Sequence, residues 1–364
     1  MSHPGATVGP MTTLHDVALL RLAALRLVGP GEPTAADAVR RLGAMQAQDY
    51  PGALVSVALR TASRLRKDVE AALDAGEVVR SWPMRGTLHL VAAEDLRWFL
   101  DTVGIRSLAG IGRRWAQLEL DEAQAERARE LVLAAMTGQR GATRAELLAA
   151  IADGGVAVTG QRGYHLLWYL SQTGTLCLGP TDGDREQRFV LLDDWVPARH
   201  RLDRDQALAE LALRFFTGHG PATVADLVRW AGSTVRDVRA GLAGVRDRLE
   251  AVTVEGNEYL MDPGTPDRLA AARTEAEGVL LLPGFDEFVL GYGDRTAVLD
   301  PRFADRIVPG GNGMFRATVV HDGRIVGTWR WTGRGAKPVV TATPFTAFPD
   351  EVAAAIPELA AALP

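Results

Sequence analysis

The sequence predicts an α+β protein: tandem winged-helix domains followed by a C-terminal antiparallel β barrel. Three observations predict it. A helix-opening box, threonine followed three residues later by an acid, recurs at Thr34–Asp37, Thr143–Glu146 and Thr223–Asp226; at that spacing the hydroxyl caps the helix and the acid reaches back. After each box come an apolar helix, a second helix and a pair of short strands, the order of a winged helix. From Val279 the pattern changes to alternating runs rich in β-branched and aromatic residues.

In chain order, residues 1–11 read as a disordered leader. The first winged helix, 12–120, begins with a helix near 13–28 bearing an apolar stripe at Leu14, Val17, Leu20 and Ala24. Pro30-Gly31-Glu32-Pro33 stops it, and the Thr34 box opens a helix that runs into Met45-Gln46-Ala47-Gln48 and an Asp49-Tyr50-Pro51 turn. A helix near 67–75 and strands Val78–Pro83 and Thr87–Val91 around Arg85-Gly86 complete it. The second winged helix, 121–200, has a helix near 161–173 and strands around Asp182-Gly183-Asp184. The third, 201–278, has a helix near 234–243 and a hairpin around Gly256-Asn257. The remainder, 279–364, reads as a small barrel with an Asp322-Gly323 type I′ turn and a tail helix.

With 364 residues, 47% of them apolar, the chain can bury a sizeable core. No apolar run reaches a membrane span and no signal-peptide pattern opens the chain, so a cytoplasmic protein with no membrane partner is expected. A single cysteine, Cys177, excludes an internal disulfide and a thiolate cluster. The seven histidines show no ligand spacing, so no metal is expected. Net charge is −5, yet it is unevenly spread. Segment 301–349 holds seven basic residues against two acidic, and 80–115 holds six arginines against three acids. Lys67 and Lys337 are the only lysines, and arginine is the better fork for phosphate.

Phosphate loops and nucleophile elbows are absent, and the glycine-rich run 308–315 does not lead from strand to helix. Asp286, Glu287 and Asp294 read either as an acid/base set, which a small-molecule hydrolase would use, or as turn caps and arginine partners. His89 alternates with Thr87 and Val91 and reads as a hydrogen-bonded structural histidine. Trp329 and Trp331 share a strand face and read as core. Gln46 and Gln48 read either as helix-end polar residues or, on extended backbone, as two amides converging on one spot. Two amides make no strong base, but they can hold and orient a water.

Together, "AMQAQDYPG", "RSWPMRGTLHLV", "GPATVADLVRWAG", "LLPGFDEFVLGYGDR" and "GNGMFRATVVHDGRIVGTW" resemble the AlkZ/YcaQ-type winged-helix DNA glycosylases, across about residues 12–349. Gln46-Ala47-Gln48 fits the family's Q-Φ-Q signature, with alanine as a small middle residue. The resemblance implies tandem winged helices plus a β barrel, and release of N7-alkylated purines, including bases tied into interstrand crosslinks. Some members protect antibiotic producers from their own DNA-alkylating product. It implies Gln46 and Gln48 as the catalytic pair, with Asp49 and Tyr50 in support. Double-stranded DNA with alkylated purines is then the partner, with no cofactor and a monomeric chain. A crosslinked base is fastened to both strands and cannot swing into a pocket as ordinary glycosylase substrates do. An open cleft gripped by arginines is expected instead, with Arg85, Thr87, His89, Arg330 and Arg334 as the DNA contacts. A lyase step would need an amine, which neither lysine supplies. The rival reading is a non-catalytic winged-helix DNA-binding regulator.

Overall fold

Each of the three recurring threonines caps a helix. In the computed structural model, which describes residues 13–181, 187–196, 200–332 and 339–364, Thr34, Thr143 and Thr223 accept from the backbone N–H three residues on. They open helices Ala35–Leu42, Arg144–Asp153 and Val224–Ala231. Glu146 and Asp226 complete the box, whereas Asp37 takes the Thr34 hydroxyl and Arg40. The expected leader 1–11, the Asp182–Asp184 turn, Arg334 and Lys337 lie outside the described residues.

The strands, in chain order, are β1 (Ala44–Gln46), β2 (Val78–Met84), β3 (Thr87–Ala92), β4 (Leu176–Thr181), β5 (Gln187–Leu191), β6 (Glu250–Val254), β7 (Asn257–Met261), β8 (Val279–Leu282), β9 (Thr318–His321), β10 (Arg324–Thr332) and β11 (Val339–Pro344). The chain forms two units: the described residues up to Asp68 with Leu208–Pro364, and Val69–Ala207.

In the unit of Val69–Ala207, the first two expected hairpins do not stay separate. They join, Arg80 opposite Leu178, into antiparallel order β3–β2–β4–β5. Helices Glu122–Met136 and Arg162–Gln172 bury Ala128, Val132, Leu166 and Trp168 with Trp82, Trp115 and Phe189 of this unit. Helices Leu96–Thr102, Ile111–Leu118 and Glu122–Met136 were not expected from the sequence. The last is opened by an Asp121/Gln124 capping box in the same chemistry as the threonine boxes.

In the other unit, helix Leu14–Ala24 is buried all round from Val17 to Ala24, Arg21 included, and not merely along a stripe. The third hairpin, β6–β7, stands as its own two-stranded sheet. It turns at Glu255-Gly256, one residue earlier than expected, because Asn257 pairs with Val254. The C-terminal strands form an open antiparallel sheet in the order β11–β10–β9–β8, and no closed barrel exists among the described residues. The apolar run after β8 forms a short helix, Glu287–Leu290, capped by Asp286. Helix Asp350–Ala361 then packs Val352 and Ile356 onto Leu281, Val319 and Trp329, covering the face that a barrel would have enclosed. Asp322-Gly323 has the two positive φ angles, 50° and 70°, of the expected I′ turn.

Among the described residues no helix is long and apolar enough to cross a membrane. No group of three or more His, Cys, Asp or Glu residues there could hold a metal.

Candidate active site

Gly43, at φ 80°, stops helix Ala35–Leu42 and releases the chain into β1. Ala44, Met45 and Ala47 are buried, which fixes the segment while Gln48 emerges into solvent. Gln46 is 8% exposed. Its Nε2 donates to Gln48 Oε1 at 3.0 Å, so the two amides meet as extended backbone allows. That bond leaves Gln48 Oε1 a second lone pair.

A buried carboxylate lies beneath the pair. Glu287 Oε1 accepts the Gln46 backbone N–H at 3.2 Å, and Oε2 accepts the Trp230 indole N–H at 2.9 Å. His219 Nε2 stands 3.3 Å from the same oxygen, and with a carboxylate accepting, the ring donates from Nε2. His219, Trp230 and Glu287 are all at most 1% exposed. Asp286 is committed elsewhere: Arg60 grips it through both Nη atoms at 2.8 and 2.9 Å, and Ser56 donates at 2.6 Å. Asp294 is exposed and accepts the Thr296 N–H. The three carboxylates read from sequence thus hold separate structural posts and form no acid/base pair.

Asp49-Tyr50-Pro51 is a helix start, not merely a turn. Asp49 is the N-cap of Tyr50–Ala58 and Pro51 lies in its first turn, where a missing N–H costs nothing. Asp49 makes no side-chain cap bond. A methyl group on Gly52 would meet Asp49 Oδ2 at 2.5 Å, so glycine there leaves room for the carboxylate. Tyr50 is half-buried at the head of the helix.

Gln48 and Asp49 line a cavity of about 860 Å³, with Arg66, Phe285, Met314, Phe315, Arg330 and Trp331 among its walls. Arg330, a sequence candidate, is therefore brought to the glutamines, exposed on β10. Trp331 is not core: it is 49% exposed and stands edge-on to the buried Trp329, 5.6 Å between centroids. Met314 is 60% exposed. Arg66, Phe285, Met314 and Phe315 escaped sequence reasoning, since no spacing links them to the glutamines.

Arg85, Thr87 and His89 form a cluster of their own in the unit of Val69–Ala207. His89 is fully buried; its Nδ1 lies 2.8 Å from the Thr87 carbonyl and its Nε2 3.0 Å from Arg85 Nη2. A carbonyl cannot donate and a guanidinium cannot accept, so the ring is neutral with its proton on Nδ1. Arg334, the remaining candidate, lies outside the described residues.

A model of the AlkZ-like DNA glycosylases matches residues 39–363. The chain belongs to the AlkZ-like DNA glycosylase family. A curated relative of Streptomyces sahachiroi, named interstrand DNA cross-link repair glycosylase, is 27% identical over 308 residues, 82% of each chain. The solved structure of Streptomyces sahachiroi DNA glycosylase AlkZ superposes with a TM-score of 0.79 at 26% identity, covering 97% of this chain and 96% of that one. An AlkZ-like α+β fold thus holds the glutamine pair, its carboxylate support and the open cavity.

Proposed function

We propose that the chain is a monofunctional DNA glycosylase that hydrolyses the N-glycosidic bond of N7-alkylated purines in duplex DNA, bulky adducts and interstrand crosslinks included. The observation that carries this reading is the Gln46–Gln48 contact, 3.0 Å, at the wall of an open cavity that also holds Arg330. Alkylation at N7 makes the purine cationic and a good leaving group, so the base needs little acid assistance. What remains is to bring water to C1′ as the sugar acquires oxocarbenium character. Gln46 and Gln48 hold that water through amide oxygens, which also face the developing positive charge. Asp49, exposed in the same wall, adds a carboxylate to that field. Orientation of this kind supplies roughly 7–11 kcal/mol when the geometry is right. Tyr50 supports the pair by opening the helix that follows.

Four modules, 12–120, 121–200, 201–278 and 279–364, are proposed as the functional organisation. The first three are winged helices, and the hairpin of the first, β2–β3, presents Arg85 to DNA. Arg85, with Thr87 and His89 setting its orientation, and Arg330 with Arg334 are the proposed phosphate contacts.

The test is base release from a duplex carrying one 7-methylguanine, read by alkali cleavage at the abasic site. The wild-type chain should release the base, and Gln46→Ala/Gln48→Ala should lose at least about a hundredfold in rate while still binding DNA. Intact 7-methylguanine and an intact nitrogen-mustard crosslink in tightly bound duplex would favour a non-catalytic regulator.

A further inference from the structure

Phe315 belongs to two cavities. Beside the Gln48 cavity it lines a second one, of about 720 Å³, bounded by Arg229, Asp294, Arg295 and the loop Ile307–Gly313. Neither arginine forms an ion pair among the described residues. Arg229 Nη1 donates to the carbonyls of Leu290 and Tyr292 at 3.2 and 3.3 Å, and Arg295 Nε to that of Val289 at 2.8 Å. Arg295 Nη2 is buried and has no hydrogen-bond partner. Burial, and next the charge of Arg229, lower Arg295 to about 10. Three acids lie nearby. Buried Asp226 accepts the Gly293 N–H at 2.8 Å and both the N–H and hydroxyl of Thr223. Exposed Asp294 accepts the Thr296 N–H at 2.8 Å and exposed Asp305 the Gly310 N–H at 2.7 Å. The charges of Asp226 and Asp294 offset only part of the lowering at Arg295.

A buried guanidinium donor without an acceptor costs free energy, and a second guanidinium beside it raises that cost. An anion with several oxygens relieves both, and a phosphate matches the guanidinium fork. Arg306 and Arg316, close in sequence, also donate to carbonyls and form no ion pair among the described residues. Phe315 puts the cavity next to the proposed attack site, where the backbone of a bound strand must pass.

We propose that the Arg229–Arg295 cavity is a phosphodiester subsite, taking the non-bridging oxygens of a DNA phosphate that flanks the residue losing its base. The inference rests on the glycosylase reading and adds a contact to it.

Binding of undamaged duplex would be measured against salt for the wild-type chain, Arg295→Gln and Ala304→Glu. Ala304 is an exposed residue of the cavity wall, so a glutamate there sets a carboxylate against the phosphate without touching the interior. Both variants should bind about tenfold more weakly near physiological salt, with the slope of log K against log salt smaller by about one. If Arg295→Gln fails to fold, Ala304→Glu decides alone. An unchanged slope in a folded variant that binds duplex overturns the subsite. Thermal stabilisation of the wild type by inorganic phosphate, with the slope unchanged, would give the cavity to a free phosphate compound and overturn it too. Failure of the wild type to bind duplex at any salt would instead overturn the glycosylase reading itself.

Discussion

Arginines held by acids and arginines held by carbonyls are spread unevenly over the two units. In Val69–Ala207, several guanidiniums sit beside an acid close in sequence or space: Arg97 pairs with Asp101, Arg127 with Glu130, Arg129 with Glu126, and half-buried Arg162 with Glu119. In the C-terminal part of the other unit, Arg229, Arg295, Arg306, Arg316 and Arg324 donate to backbone carbonyls, which hold a guanidinium in place and leave its charge intact. Counting charges along the sequence put both 80–115 and 301–349 on the basic side. Pairing separates individual arginines within them: Arg97 is paired with Asp101 and Arg302 with Asp300, whereas Arg330 forms no ion pair among the described residues. An arginine that its own neighbourhood has neutralised has little left to offer a phosphate, and one fixed by carbonyls remains a cation in a set position.

The unit with the C-terminal sheet pairs Arg246, Arg273 and Arg302 with Glu258, Glu277 and Asp300 at its surface, and it also pairs an arginine in its interior. Arg60 and Asp286 are at most 1% exposed and joined by two parallel bonds, with Ser56 filling a further acceptor site. Arg60→Ala leaves a carboxylate buried without its cation, and the expected loss is about 3–5 kcal/mol of stability. Chemical denaturation of the variant beside the wild type measures it. A loss below 1 kcal/mol would mean that the pair is as dispensable as the exposed pairs of the other unit, and the contrast would fail.

A smaller effect separates the two kinds of exposed arginine. Arg330 lies in the wall of the Gln48 cavity, whereas Arg129 is paired on the outer side of helix Glu122–Met136. Arg330→Gln should weaken duplex binding several-fold and lower the salt slope by about one. Arg129→Gln should change neither the slope nor the melting temperature measurably, since exposed pairs add little. Equal effects from the two would show that pairing does not predict which arginines meet DNA.

How far the sequence was legible follows the range of the forces involved. Thr143 and Thr223 with their acids, and the Asp322-Gly323 turn, are decided within four residues and were read correctly. The convergence of Gln46 and Gln48 is equally local, a matter of alternate residues on extended backbone. Barrel closure was not local. It required the edge strands β8 and β11 to meet, and the order β11–β10–β9–β8 leaves them apart, with helix Asp350–Ala361 packed on the sheet through Val352 and Ile356. Trp331 was misread for a related reason: alternation gives its face, but exposure depends on what covers that face. The cavity was illegible because its walls come from segments near 48–66, 283–285, 314–317 and 329–331, which no short pattern connects.

The smallest expected effect concerns an arginine with neither an acid nor only carbonyls around it. Arg114 donates to Gln117 Oε1, to Gln161 and, at 3.3 Å, to His165 Nε2. Burial first, and the Arg114 charge second, lower the His165 pKa. The folded chain therefore keeps this ring neutral at pH values where the unfolded chain, near the ordinary 6.5 or so, already binds a proton. Stability from this residue is complete above that value and falls as pH drops through it towards the lowered folded pKa. Gln at this position keeps an acceptor for Arg114 and cannot titrate. Between pH 7.5 and 5.5 the wild type should lose about 1 °C more in melting temperature than His165→Gln. An equal loss would mean that Arg114 tolerates a charged ring, and that this unit need not neutralise the neighbours of its arginines after all.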